Sequence, residues 1–263
     1  MKKINKKTMA NASQGGAKAQ QQMNYVIGFT KLQEVRYAKS DSIDSENREL
    51  PEINAVVYEN HPSSKLLSMD KIREIIGGHL EGLIEKDKIA PAIESLKIHH
   101  SNGNLDATEG LGLYYWEEGE LEKAAPYLGA LVSANKEEYA YRYALLCRDG
   151  KGTEKNASFA FELFKRAFEY NRDPGALTCM ADALKEGIGV EKNVEVALVY
   201  YLCAELLGSD GEASLKLGIA YLGDDEIKQD LKKAAEHLKI ATRAEYKPIA
   251  SLARRIIKEY KLN

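Results

Sequence analysis

Long apolar runs are missing from this chain of 263 residues. No stretch reaches the ~18 consecutive apolar residues that a membrane-spanning helix needs. Cysteine is scarce. Cys147, Cys179 and Cys203 are odd in number, and each falls within a helical apolar pattern. That excludes a disulfide framework and suits buried, reduced thiols. Thr8 to Gln22 is too polar to be a secretory leader, so the expected location is the cytoplasm. A large charge excess is missing too. The formal net charge of −3 argues against a general polyanion binder. Proline is rare, which suits helices joined by short turns. Tryptophan occurs once, at Trp116.

Catalytic patterns are equally scarce. Gly187-Ile188-Gly189 lacks the third glycine and the preceding strand of a dinucleotide loop. Asp149-Gly150-Lys151-Gly152-Thr153 lacks phosphate-loop spacing and lies between two helical patterns. Of the five histidines, no two stand four apart with a glutamate between them. His99 and His100 read as a surface pair at a helix end. No nucleophile elbow or Cys-His pairing occurs. The sequence therefore predicts no catalytic residue, no metal and no cofactor.

What the chain has is repetition. Ala107, Ala140, Ala176, Ala213 and Ala250 sit at equivalent points, 33, 36, 37 and 37 residues apart. A second register, Ala124, Ala160, Ala197 and Ala234, is spaced 36, 37 and 37. Two registers of one period mean a helical hairpin copied several times. In each copy apolar residues recur at helical spacing, break at a glycine turn and resume. Gly150, Gly187 and Gly223 fit positions of positive φ after the first helix. Asn156 and Asn193 stand where a cap for the second helix belongs.

These residues carry a family likeness. Ala107, Leu111, Gly112 and Tyr115, and again Ala213, Leu217, Gly218 and Tyr221, match the first helix of a Sel1-like repeat. Glu186-Gly187-Ile188-Gly189-Val190, followed by Asn193, Ala197, Tyr200, Tyr201 and Ala204, matches its turn and second helix. The chain resembles the Sel1-like family, relatives of tetratricopeptide repeats. The copy from Ala140 departs from it, with Ala144-Leu145 in place of Leu-Gly and Arg148 in place of Tyr. The copy from Ala107 has a shorter, more tetratricopeptide-like turn at Glu118 to Ala124.

A preceding copy is expected, with a helix from Met69 to Glu85 started by Asp70. A second helix then begins near Ile89-Ala90-Pro91. Its Ala-Pro, like Ala125-Pro126, fits a first helical turn. Lys247 to Lys261 reads as a closing helix, with Arg254 and Arg255 on an outer face that no later repeat covers. A nucleic-acid reading of Arg254, Arg255, Lys258 and Lys261 is weaker than that of a solvated face. The expected fold is all-α, an α-solenoid of about five stacked hairpins over residues 69–263 with a C-terminal capping helix. Ahead of it, residues 1–24 hold five lysines and no acid, the composition of a flexible basic arm. Residues 25–68 read as an irregular segment with two short β-prone runs, which fit a small hairpin, a strip packed along the solenoid, or a filling for its groove.

Stacked hairpins present an extended surface suited to holding another protein. Positions two, six and nine beyond each anchor are expected to face outward. They are Glu109, Leu113, Trp116; Arg142, Leu146, Asp149; Thr178, Asp182, Lys185; and Leu215, Ile219, Leu222. Aromatic and arginine side chains are favoured interface anchors. The expected partner-binding patch is thus Tyr114, Trp116, Tyr139, Tyr141, Arg142 and Arg148, on the concave face. The leading expectation is a non-catalytic adaptor or scaffold that binds another protein. An inhibitor or immunity protein that blocks one toxin or enzyme is the alternative, and a nucleic-acid-associated factor the second. No membrane partner is expected, and self-association stays open.

Overall fold

The computed structural model describes residues 66–208, 211–223 and 226–262. The basic arm expected over 1–24, and the irregular segment over 25–68 except its last three residues, lie outside them. The described residues are helical, with no strand among them, and fall into two compact units that divide at Tyr170 and Asn171.

The first unit opens with α1, Met69–Leu80. Ser68, not Asp70, caps it by accepting from the Lys71 amide at 3.4 Å. The helix ends five residues earlier than the apolar pattern predicts. The amides of Leu83 and Ile84 both donate to the Gly78 carbonyl, at 2.7 and 3.1 Å, and fold the chain back. Ile84 then packs over Gly78, while Leu83 is left 77% exposed. A 3-10 turn, Lys86–Lys88, leads to α2, Ala90–Ser101, with Pro91 in its first turn. The helices α3, Leu105–Glu117, and α4, Leu121–Ser133, form the second hairpin. After a 3-10 turn at Glu137–Tyr139, α5, Ala140–Asp149, and α6, Ala157–Asn171, form the third.

Pro126 corrects one expectation. It lies inside α4, not in its first turn, so it cannot donate to the Glu122 carbonyl four residues back. The turn of the next hairpin meets that carbonyl instead. Gly152 passes so close that a Cβ there would stand 2.5 Å from the Glu122 oxygen.

The second unit holds α7, Pro174–Glu186, α8, Val194–Leu206, α9, Glu212–Ala220, α10, Leu231–Ala241, and the single last helix α11, Lys247–Glu259. Both alanine registers are buried: the first-helix anchors are at most 3% exposed and the second-helix anchors at most 1%. A methyl group at these points lets two backbones approach while neighbouring large side chains fill the gaps.

One closure recurs in three copies. The amides of Asn156, Asn193 and Asp230 donate to the carbonyls of Cys147, Leu184 and Tyr221 at 2.8, 2.8 and 2.9 Å. The side chains of the same three residues then accept from the third residue on, each at 3.0 Å. Gly150 and Gly187 take φ of 72° and 71° at the ends of α5 and α7, a conformation that costs other L-residues. Asn156 and Asn193 are the expected caps. Asp230 does the same work in a turn whose sequence hides it.

None of the three thiols is in a disulfide. Burial pushes Cys147 and Cys203 up to about 11, so neither is a nucleophile at neutral pH.

Candidate protein-binding face

Helix α3 presents Glu109, Leu113 and Trp116 along one side, all half-buried. Helix α5 brings Arg142 beside them, with its guanidinium 5.7 Å from the centroid of the Trp116 ring. That distance is within cation–π range. Tyr139, in the turn before α5, is 5% exposed, with the Glu109 carboxylate near its hydroxyl. Burial first, then the Glu109 carboxylate, raises the Tyr139 phenol well above its ordinary value. Arg142 has no ion-pair partner among the described residues, and the Trp116 indole N–H has no hydrogen-bond partner among them.

The other three residues of the expected patch lie elsewhere. Tyr114 is 5% exposed and sits between the rings of His79, at 6.2 Å, and Tyr115, at 5.2 Å. Tyr141 turns to α6, with its ring 5.8 Å from that of Phe164. Arg148 grips its neighbour Asp149 at 2.7 and 3.1 Å and holds that carboxyl below the usual range. The structure therefore gathers Trp116, Tyr139 and Arg142, and adds Glu109. Three of the positions expected to face outward are buried: Leu146, Thr178 and Leu215, at 1%, 1% and 6%. At about 100° per residue, the second position past the anchor lies only about 60° beyond the fifth, which is core. Leu215 accordingly joins Leu238 in the core of the last hairpin.

A charged cluster stands at the far end of α3. The Glu118 carboxylate takes Lys86 on one oxygen and His79 Nε2 at 3.1 Å on the other. His79 Nδ1 faces the Ile84 carbonyl at 2.8 Å. Both ring nitrogens thus meet acceptors, which favours the imidazolium. The Ile84 carbonyl first, then Glu118, raises the His79 pKa, and Lys86, then His79, lowers that of Glu118. This cluster fastens the loop after α1 to α3. Sequence reasoning missed it because its three members are up to 39 residues apart.

His99 and His100 are not a surface pair. His99 Nε2 reaches the Leu67 carbonyl at 2.9 Å. His100 Nδ1 meets the Thr108 hydroxyl at 2.8 Å, and its ring stands edge-on to Tyr127. Burial lowers the His100 pKa. In the second unit Asp182, on α7, accepts from the Tyr201 hydroxyl and from Lys216 at 3.1 Å, which ties α8 and α9 to it. Among the described residues no three His, Cys, Asp or Glu side chains are placed to hold a metal.

The Sel1 repeat family matches residues 138–169, 176–209 and 211–246, which span the third, fourth and fifth hairpins. These three hairpins carry Sel1 repeats. The Sel1 match at 138–169 includes the copy with Ala144-Leu145 and Arg148, so those departures leave the hairpin intact. A Sel1 repeat protein from Oxalobacter formigenes is 20% identical with a TM-score of 0.52, over 73% of this chain and 87% of that one. A protective antigen of uropathogenic Escherichia coli strains with an SLR fold is 16% identical with a TM-score of 0.56, over 72% of this chain and 41% of that one. Identities this low speak for the fold alone. No curated protein matches the chain.

Proposed function

We propose that this chain is a non-catalytic protein-binding module, an adaptor or scaffold, and that Trp116 and Arg142 anchor its partner. The observation that carries the proposal is the pair itself. The chain's one tryptophan lies half-buried under a guanidinium that has no carboxylate partner among the described residues. Trp and Arg are the side chains from which interface hot spots are most often made. A partner carboxylate reaching Arg142 gains a charge-assisted bond that the folded chain leaves unmade. Tyr139, buried beside the pair, gives it a fixed wall. Stacked helical repeats as a class use extended surfaces to bind other proteins. Thiols outside any disulfide, two of them buried, suit a reducing compartment, and we read the cytoplasm as the location.

The test is a capture experiment with the full-length chain as bait, run beside Trp116→Ala and read by mass spectrometry. The proposal expects at least one protein retained by the parent and lost by the variant. One near-stoichiometric partner would mark a dedicated inhibitor or immunity protein; several would mark an adaptor. Identical retention by both baits would remove this face as the site.

A further inference from the structure

The last hairpin and the helix after it differ in charge from the repeats before them. Between Lys228 and Lys261 stand ten lysines and arginines against four acids. Residues 66–227 hold 17 basic residues against 29 acidic. All ten cations are exposed. Lys233 has Asp230 at 3.8 Å, and Arg254 donates to the Thr242 carbonyl at 2.9 Å. The other eight have no carboxylate partner among the described residues.

A solvated face is the ordinary meaning of such charges, but here they border a built groove. Helix α10 and the residues that follow α11 border an open groove of about 400 Å³. Ala235 and Leu262 form its floor, with the half-exposed Leu231 at the rim. Ala235 and Leu262 also belong to the buried core of this unit, so the floor is fixed. Lys232, Lys239 and Lys261 stand around it with the half-exposed ring of Tyr260. Lys232 and Lys239 are seven residues apart, two helical turns, so both face one side about 10 Å from each other.

We infer that this groove docks an acidic, apolar-containing segment of a partner protein, on a surface separate from the Trp116 face. The apolar floor takes the partner's hydrophobic side chain, and the lysines take carboxylates on either side of it. Glu236 decides against nucleic acid. It lies on the same helix face between Lys232 and Lys239, where it repels a continuous phosphate backbone but fits the gap between two discrete carboxylates.

The probe is a fluorescein-labelled twelve-residue peptide of Glu-Leu-Gly triplets, titrated against the full chain by anisotropy. Twelve-residue oligoglutamate and a twelve-nucleotide single-stranded DNA serve as competitors. Saturable micromolar binding is expected, with both competitors at least about fivefold weaker. Lys232→Glu with Lys239→Glu replaces two exposed, unpaired side chains, so the fold should survive, as far-UV circular dichroism would verify. That variant should bind at least about tenfold more weakly and should prefer a peptide with Lys in place of Glu. Trp116→Ala should bind the probe like the parent. No saturation, equal binding by the reversed variant, or tighter binding of the DNA or oligoglutamate would overturn the inference.

Discussion

Gly218→Ala isolates the close packing on which the repeat depends. By helix propensity alone, alanine in the interior of α9 stabilises by about 1 kcal/mol. The packing says the opposite. A Cβ at Gly218 would stand 2.4 Å from Leu238 Cγ, 2.8 Å from its Cδ2 and 3.2 Å from its backbone nitrogen. Carbon atoms need about 3.5 Å, so the Leu238 side chain must move by about 1 Å. It has nowhere to go, being 0% exposed within the core of the last hairpin. Overpacking of this kind costs about 1–3 kcal/mol, and contact with backbone as well as side chain puts it at the upper end. The net effect is a loss of about 2 kcal/mol. Gly77→Ala is the control. It lies in α1, where a Cβ would meet nothing within 4 Å, and should gain about 0.5–1 kcal/mol. Urea denaturation of the full chain, followed by circular dichroism, reads both. With slopes of about 1–3 kcal/mol per molar urea, Gly218→Ala should lower the midpoint by roughly 1 M and Gly77→Ala should raise it. A Gly218→Ala midpoint at or above the parent's would refute the packing argument.

Three further outcomes follow from single contacts. His79 has a raised pKa in the folded chain, so its stabilising charge is full below about pH 6.5 and lost as pH rises through the folded value. Hydrogen exchange at Leu83 and Ile84, corrected for intrinsic rates, should quicken across that window, and His79→Gln should abolish the change. Asp182→Ala strands the hydroxyl of Tyr201, a residue 1% exposed, along with Lys216. It should cost about 1–3 kcal/mol by thermal melting, and Lys216→Met clearly less. Ser214 is 1% exposed, and its hydroxyl has no partner among the described residues. Ser214→Ala should raise stability by about 1 kcal/mol, and a loss would mean the hydroxyl is bonded.

The hairpins were legible because their signal is local and periodic. Two alanine registers, glycine turns and Asn caps each follow from a few residues in sequence, and the copies reinforce one another. Boundaries and cross-links were less so. Leu83 and Ile84 continue the apolar period of α1, but Gly82, at φ 78°, and the Gly78 carbonyl turn the chain before them. Pro126 reads as a helix start, because nothing in the sequence says that a later turn will cover the carbonyl it leaves free. Within the candidate site, helical spacing puts Trp116 and Arg142 on facing sides of successive first helices. It cannot tell that Tyr141 swings to Phe164 or that Arg148 closes on Asp149. The cluster of His79, Lys86 and Glu118 depends on pairings between hairpins, which no periodicity encodes.

The most direct test of the central claim uses the lone tryptophan as its own reporter. Once a captured partner is in hand, a tryptophan-free segment of it is titrated into the full chain while Trp116 emission is followed. Binding at this face should shift that emission saturably, with Arg142→Ala weakening affinity at least about tenfold, or about 1.4 kcal/mol. Full-affinity binding that leaves the emission of Trp116 unchanged, and that Arg142→Ala does not weaken, would contradict the account.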